Sequence, residues 1–216
     1  MQKSWLQWST LLLITAGSAF CAARSPYFPG DIALAKFIQA LSGDNLGWAR
    51  VVTSTISSPW NYVLLTLTAA LAWWLAGWRG AVIALISFGG MVFAEPYLKA
   101  LIARPRPSAQ LIRVTGAPAG FSFPSGFGLV FFSLVGLLAM LAWRKLQGNL
   151  RTIVIAICCV LLLLGGYARV SLGAHWPGDI LGAYLCSGTW VFLLILLSEK
   201  IGSPLLSSSS SNAGNY

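Results

Sequence analysis

A chain of 216 residues that is 57% hydrophobic and only 9% charged lies far from the roughly 25% charged content of soluble domains. An ordinary water-soluble fold is excluded, and the mean hydropathy of +0.76 points to an integral membrane protein with no room for a separate soluble module. The net charge of +9 would suit nucleic acid, but the basic residues flank apolar stretches, so no nucleic-acid partner is expected.

About 20 mostly apolar residues cross the ~30 Å of a bilayer core, and six candidate spans follow in chain order: Trp5–Ala23, Trp60–Trp78, Gly80–Tyr97, Gly126–Trp143, Thr152–Tyr167 and Ile180–Ser198. The first reads as an uncleaved span, because its apolar run exceeds the ~7–15 residues of a signal core and its basic start is only Lys3. After it, Tyr27-Phe28-Pro29-Gly30 marks a turn. Leu34, Phe37, Ile38 and Leu41 then recur at the spacing of an amphipathic helix lying in the membrane interface. Asp31 would favour the N-terminus of that helix. Two further connections, Lys99–Ser122 and Arg169–Asp179, separate spans three from four and five from six. Residues 207–216 are serine-rich and expected to be disordered, which leaves a six-span domain over residues 1–206. The cysteines at 21, 158, 159 and 186 fall in or near spans, where they act as small apolar residues. Trp5, Trp60, Trp78 and Trp143 sit near span ends, as interfacial belts require. The fold class is therefore an all-α bundle of six transmembrane helices with one interfacial helix between the first two.

With the N-terminus inside, Arg144, Lys145 and Arg151 form a cytoplasmic cluster, consistent with the positive-inside rule. The same alternation brings Lys99, Arg104, Arg106, Arg169 and the start of the fourth span together on the outer side, an excess of outer charge that calls for a function.

Three stretches on that side carry chemistry. In Lys99-Ala100-Leu101-Ile102-Ala103-Arg104-Pro105-Arg106-Pro107, cations on a proline-stiffened backbone suit a phosphate, the arginines as bidentate donors and the lysine as a point charge. Contact with anionic headgroups is the plainer alternative. In Phe123-Pro124-Ser125-Gly126-Phe127, a serine and a glycine open a span, leaving free backbone N–H groups that bind anions; an ordinary serine cap explains the same residues. The third stretch holds Arg169, the single histidine His175, and Asp179 four residues later. Imidazole titrates near neutrality and serves as nucleophile or base, and an aspartate one helical turn away would fix its tautomer. No second histidine or carboxylate cluster exists to complete a metal site. Glu95, four residues before Lys99, is expected to pair with it.

Together these stretches resemble the type 2 phosphatidic acid phosphatase superfamily of integral membrane lipid phosphatases, whose pattern is K-x6-R-P, then P-S-G-H, then S-R-x5-H-x3-D. Lys99, Arg106 and Pro107 match the first motif, Pro124, Ser125 and Gly126 the second, and Arg169, His175 and Asp179 the third. The resemblance implies that Lys99, Arg106 and Arg169 bind phosphate oxygens, with Ser125 and the Gly126 N–H completing the cradle. His175 would attack phosphorus to form a phosphohistidine, Asp179 would orient it, and no cofactor or metal would be needed. It also implies a lipid phosphate or pyrophosphate substrate, such as undecaprenyl pyrophosphate, phosphatidylglycerophosphate or phosphatidic acid. The setting would be a bacterial inner membrane with the site on the periplasmic face. Arg104 lies outside the pattern and is assigned to headgroup or surface contact.

Two positions depart from the pattern. Ala168 replaces a serine, and Phe127 stands where the family has the histidine that protonates the leaving group. Losing a general acid costs about 10²–10⁴-fold, most for a basic alkoxide and least for a phosphate, whose second pKa is about 6. Three readings of Phe127 stay open: an engineered inactive variant, an acid-deficient enzyme acting on a lipid pyrophosphate as hydrolase or phosphotransferase, and a pseudoenzyme that binds phosphate lipids without turnover.

Overall fold

The computed structural model describes residues 2–116 and 119–202, and these form helices joined by turns, with no strand among them. The helices are α1 (Gln2–Arg24), α2 (Asp31–Ser42), α3 (Gly47–Ser54), α4 (Trp60–Ile102), α5 (Gly126–Phe131), α6 (Leu137–Lys145), α7 (Gly148–Ser171) and α8 (Pro177–Gly202). A single π-helical segment, Phe132–Gly136, joins α5 to α6, so that Gly126–Lys145 runs as one apolar element. Five helical elements are long and apolar enough to cross a membrane. The serine-rich segment 207–216 lies outside the described residues.

One of the five is 43 residues long and contains two of the expected spans. Its regular backbone fails at Ala76 (φ −139°) and at Gly77, whose φ of 66° is open to glycine without strain. The chain reverses there. A side chain at Gly80 would strike the Ala72 carbonyl, and the rings of Tyr62 and Phe88 lie 6.5 Å apart. Twenty-six residues of straight helix would instead separate those rings by roughly 39 Å. α4 is thus a helical hairpin, its arms closed by Ala72, Ile83 and Ala84 against Leu137, Leu141, Val191 and Ile195.

The α5–α6 element is central: 72% of its apolar window is buried, against 11% for α1. α8 lies beside it, tied by the Ser187 hydroxyl donating to the Leu129 carbonyl at 2.7 Å. α1 is a peripheral helix fastened to α8 by Thr15 and Thr189 hydroxyls 2.9 Å apart and by the Trp8 indole N–H donating to the Thr189 carbonyl. Outward faces carry Leu13, Phe20, Trp73, Trp74, Leu163 and Ile201 in the open, an apolar perimeter suited to lipid rather than water.

The connection between α1 and α4 differs from the single amphipathic helix expected. It holds two helices, and the apolar residues Leu34, Phe37 and Leu41 of α2 face outward. The packed face is instead Asp31, Ala35 and Gln39. The reason is polar: the Gln39 amide donates to the Arg113 carbonyl at 2.7 Å and accepts from the Arg113 N–H at 3.0 Å. These bonds require that Gln39 point inward, and its i−4 neighbour Ala35 shares that face at no steric cost. Helix α3, which hydrophobic periodicity did not signal, lays Ala49 and Trp48 on the end of α7, with Trp48 stacked on Tyr167 at 5.3 Å.

Candidate active site

Four ends of chain meet at one pole of the bundle: the C-terminus of α4, the N-terminus of α5, the C-terminus of α7 and the N-terminus of α8. His175 lies in the turn preceding α8 and Asp179 in its first turn, both buried. Asp179 reaches back to accept the Trp176 N–H at 2.8 Å, closing the helix start as an N3 acid does in a capping box. That geometry presents the carboxylate to the ring: His175 Nδ1 stands 3.6 Å from Asp179 Oδ2, just beyond hydrogen-bond length. On the other side of the ring, Nε2 is 3.4 Å from Arg106 Nη1. The imidazole is thus polarised, one nitrogen against a carboxylate and the other turned toward cations. Burial is the main reason that the His175 pKa is pushed down to about 4, with Arg169 and Arg106 adding to the effect and Asp179 opposing it. Burial thus favours the neutral form of the ring.

Asp179 is itself tightly held. The Ser122 hydroxyl donates to Oδ2 and Arg104 Nη1 to Oδ1, the latter at 2.7 Å. This overturns the assignment of Arg104 to the surface: the side chain is wholly buried. Its Nη2 donates to Asp31 Oδ2 at 3.1 Å, its Nε to the Ser25 carbonyl at 3.2 Å, and its guanidinium lies 4.1 Å from the Phe28 ring centroid. Asp31 in turn accepts the Gly178 N–H of α8 at 2.8 Å and the Phe28 N–H at 2.7 Å. One guanidinium therefore bridges two buried carboxylates, one on α2 and one on α8. Such a group is held inside only when its charge and its donors are matched.

The remaining motif residues lie at the same pole, with Arg106 nearest the free side of His175. Arg106, half-buried, is fixed by donating to the carbonyls of Ala174 (2.8 Å) and Gly120 (3.1 Å). Arg169 carries a buried Nε with no partner and lies 5.9 Å from the Phe127 ring centroid. Lys99 forms the expected ion pair with Glu95, Nζ to Oε1 at 2.7 Å. Ser125, fully buried, caps α5 by accepting the Gly128 N–H at 3.3 Å, so the capping role is realised. Gly126 is forced by close approach, because a Cβ there would collide with the Glu95 carboxylate. Phe127 turns its ring into the core against Phe131, Cys158 and Leu162, beneath Arg169.

Sequence reasoning thus placed Lys99, Arg106, Ser125, Gly126, Phe127, Arg169, His175 and Asp179 at one pole, and the structure brings them together. It missed Arg104, Ser122 and Asp31. Ser122 and Asp31 offered only a hydroxyl and a helix-start acid, signals too common to single out.

Residues 77–203 match the PAP2 superfamily. Among relatives, a putative undecaprenyl-diphosphatase of Escherichia coli (strain K12), YbjG, is 32% identical over 158 residues, covering 65% of this chain and 76% of that protein. Phosphatidylglycerophosphatase B of Escherichia coli (strain K12) is 36% identical over 86 residues, 40% of this chain and 32% of the relative's length. In fold, the chain is similar to the crystal structure of a transmembrane PAP2-type phosphatidylglycerolphosphate phosphatase from Bacillus subtilis, with a TM-score of 0.69, 23% identity and coverage of 90% and 96% of the two chains. With the motif residues converging on one pole and the match covering more than half of the sequence, the chain belongs to the PAP2 superfamily.

Proposed function

We propose that this protein is a membrane lipid phosphatase that removes the terminal phosphate of a lipid pyrophosphate through a phosphohistidine at His175. The observation that carries this reading is the polarity of the histidine ring, Nδ1 against an anchored Asp179 and Nε2 turned toward Arg106. With the proton on Nδ1, the Nε2 lone pair attacks phosphorus while the bond to the lipid phosphate breaks. Asp179 stabilises the imidazolium that forms. Lys99, Arg106 and Arg169 would neutralise the equatorial oxygens in the transition state, as metal ions do in other phosphoryl transferases, and Ser125 and Gly126 shape the floor of the cradle. Water then displaces His175 and releases phosphate.

The substrate class follows from Phe127. Its buried apolar ring cannot carry a proton, which penalises an alkoxide leaving group more than a phosphate. The same ring gives a specific reason for a second reading, in which the cradle binds a phosphate lipid without turning it over. The two arms of the α4 hairpin support six membrane crossings, and α2 and α3 lie at the pole of the site with the outward apolar face of α2 toward lipid. Arg144, Lys145 and Arg151 lie at the opposite pole, which under the positive-inside rule supports assigning the site to the outer face of a bacterial plasma membrane.

Phosphate release from a lipid pyrophosphate and from a lipid phosphomonoester, for this chain and for Phe127→His, tests the reading. The pyrophosphate alone should be hydrolysed before the substitution, and the monoester should gain activity after it. Equal hydrolysis of both before substitution contradicts the leaving-group argument, and inactivity on both in either form supports binding without turnover.

A further inference from the structure

We propose that Glu95 is the group that takes the proton from water when the phosphohistidine is hydrolysed, a role that rests on the lipid phosphatase reading above. Glu95 sits on the second arm of α4, one turn before Lys99, and its carboxylate is held at 2.7 Å from the lysine ammonium. It leans against the backbone of Gly126 at the start of α5, and any side chain at that position would occupy the same space. The residue adjacent in sequence, Phe127, faces the other way into the core. Through Lys99 and Gly126, Glu95 touches two of the residues assigned to the phosphate cradle. Its side chain is 30% exposed.

Chemistry assigns it to the second step. In the first, a lipid phosphate leaves without needing a proton, and a carboxylate ion has none to give. In the second, water forms a bond to phosphorus, the P–Nε2 bond breaks with its electron pair returning to the ring, and one water proton must go to a base. A carboxylate already paired with Lys99 accepts it and passes it to solvent, while His175 is regenerated neutral with its proton on Nδ1. Glu95 thus supplies a base for the second step. It does not supply an acid, which restricts the enzyme to substrates whose leaving group is a phosphate.

The experiment uses the full chain in detergent with a lipid pyrophosphate radiolabelled at its terminal phosphate, quenched in base at millisecond to second times. Glu95→Gln keeps size and a polar contact to Lys99. It is expected to take up label on the protein at close to the unsubstituted rate, with a burst of lipid monophosphate, and to release phosphate about 10²–10⁴-fold more slowly. Glu95→Asp should release phosphate at an intermediate rate, and added formate should restore part of the release in Glu95→Gln. Unchanged phosphate release by Glu95→Gln overturns the proposal. So does joint loss of burst and release in a variant with an unchanged melting temperature, since that marks a role limited to holding Lys99. If the unsubstituted chain turns over without label and tolerates His175→Ala, the phosphohistidine reading itself fails and takes this role with it. An unsubstituted chain that is inactive until Phe127→His overturns both Glu95 and the leaving-group argument, and leaves the phosphohistidine at His175 standing.

Discussion

Replacing Arg104 with methionine should be among the most damaging substitutions in the chain, although Arg104 lies behind His175 rather than on the side assigned to phosphate. Methionine keeps the apolar stem against Phe28 and removes the charge. The side chains of Arg104, Asp179 and Asp31 are 0%, 0% and 4% exposed, so the loss leaves two buried carboxylates without their counter-ion. Breaking one buried pair costs about 3–5 kcal/mol. Each charge-assisted hydrogen bond contributes about 1.5–3 kcal/mol, and Arg104 donates one to each acid. The upper part of that range, about 5 kcal/mol, is expected. For a chain of this size, with about 2–4 °C per kcal/mol, that is a fall in melting temperature of about 10 °C or more. Intrinsic tryptophan fluorescence during heating in detergent reads it. Adding Asp31→Asn removes one of the two stranded charges and should recover at least about 1.5 kcal/mol relative to additivity. Because Arg104 acts through Asp179, a folded fraction should lose kcat with little change in KM. A melting temperature within about 3 °C of the unsubstituted protein, with no coupling to Asp31→Asn, would refute the bridge.

Other outcomes follow from the same geometry. His175 is the only histidine, so NMR of histidine-labelled, untagged protein follows its ionisation without assignment. Burial favours the neutral ring, so the nucleophilic form should persist as pH falls and be lost only through about pH 4; a midpoint near the ordinary value of about 6.5 would contradict the buried setting. With Arg169 in the proposed phosphate cradle, Arg169→Ala should lower kcat/KM by about 10²-fold or more through loss of a donor to developing charge, and should also weaken inhibition by inorganic phosphate; steady-state kinetics with a phosphate titration measures both. Gly126→Ala places a methyl group into the Glu95 carboxylate and should slow turnover about tenfold or more, as expected when a proton acceptor is displaced. If Gly126→Ala is as active as the unsubstituted chain, the close approach of Glu95 does not matter to function.

How far the sequence carried this account depended on the range of the interactions involved. His175 and Asp179, and Glu95 and Lys99, are each four residues apart, so spacing alone brings them together. The six apolar runs are equally local, and the break at Ala76 and Gly77 divides α4 into two arms close to the expected boundary between Trp60–Trp78 and Gly80–Tyr97. Arg104 was misread because its partners are 73 and 75 residues away in sequence; in a run of arginines and prolines, nothing local distinguishes a guanidinium that is buried from one in water. The packed face of α2 was not legible for a related reason. In a membrane protein the apolar stripe can face lipid, and the polar Gln39 and the small Ala35 then face the bundle. The direction of Phe127 was also not legible, since a residue at a helix start can project toward either the site or the core, and tertiary packing against Cys158 and Leu162 decides it.

The central claim is that His175 becomes covalently phosphorylated. Mixing the full chain with a terminally radiolabelled lipid pyrophosphate, quenching in base and mapping the label by mass spectrometry tests it directly. Base-stable, acid-labile label on His175 that forms no more slowly than phosphate is released, and is absent in His175→Ala, is the predicted result. Phosphate release without label on His175, or turnover that survives His175→Ala, would contradict it.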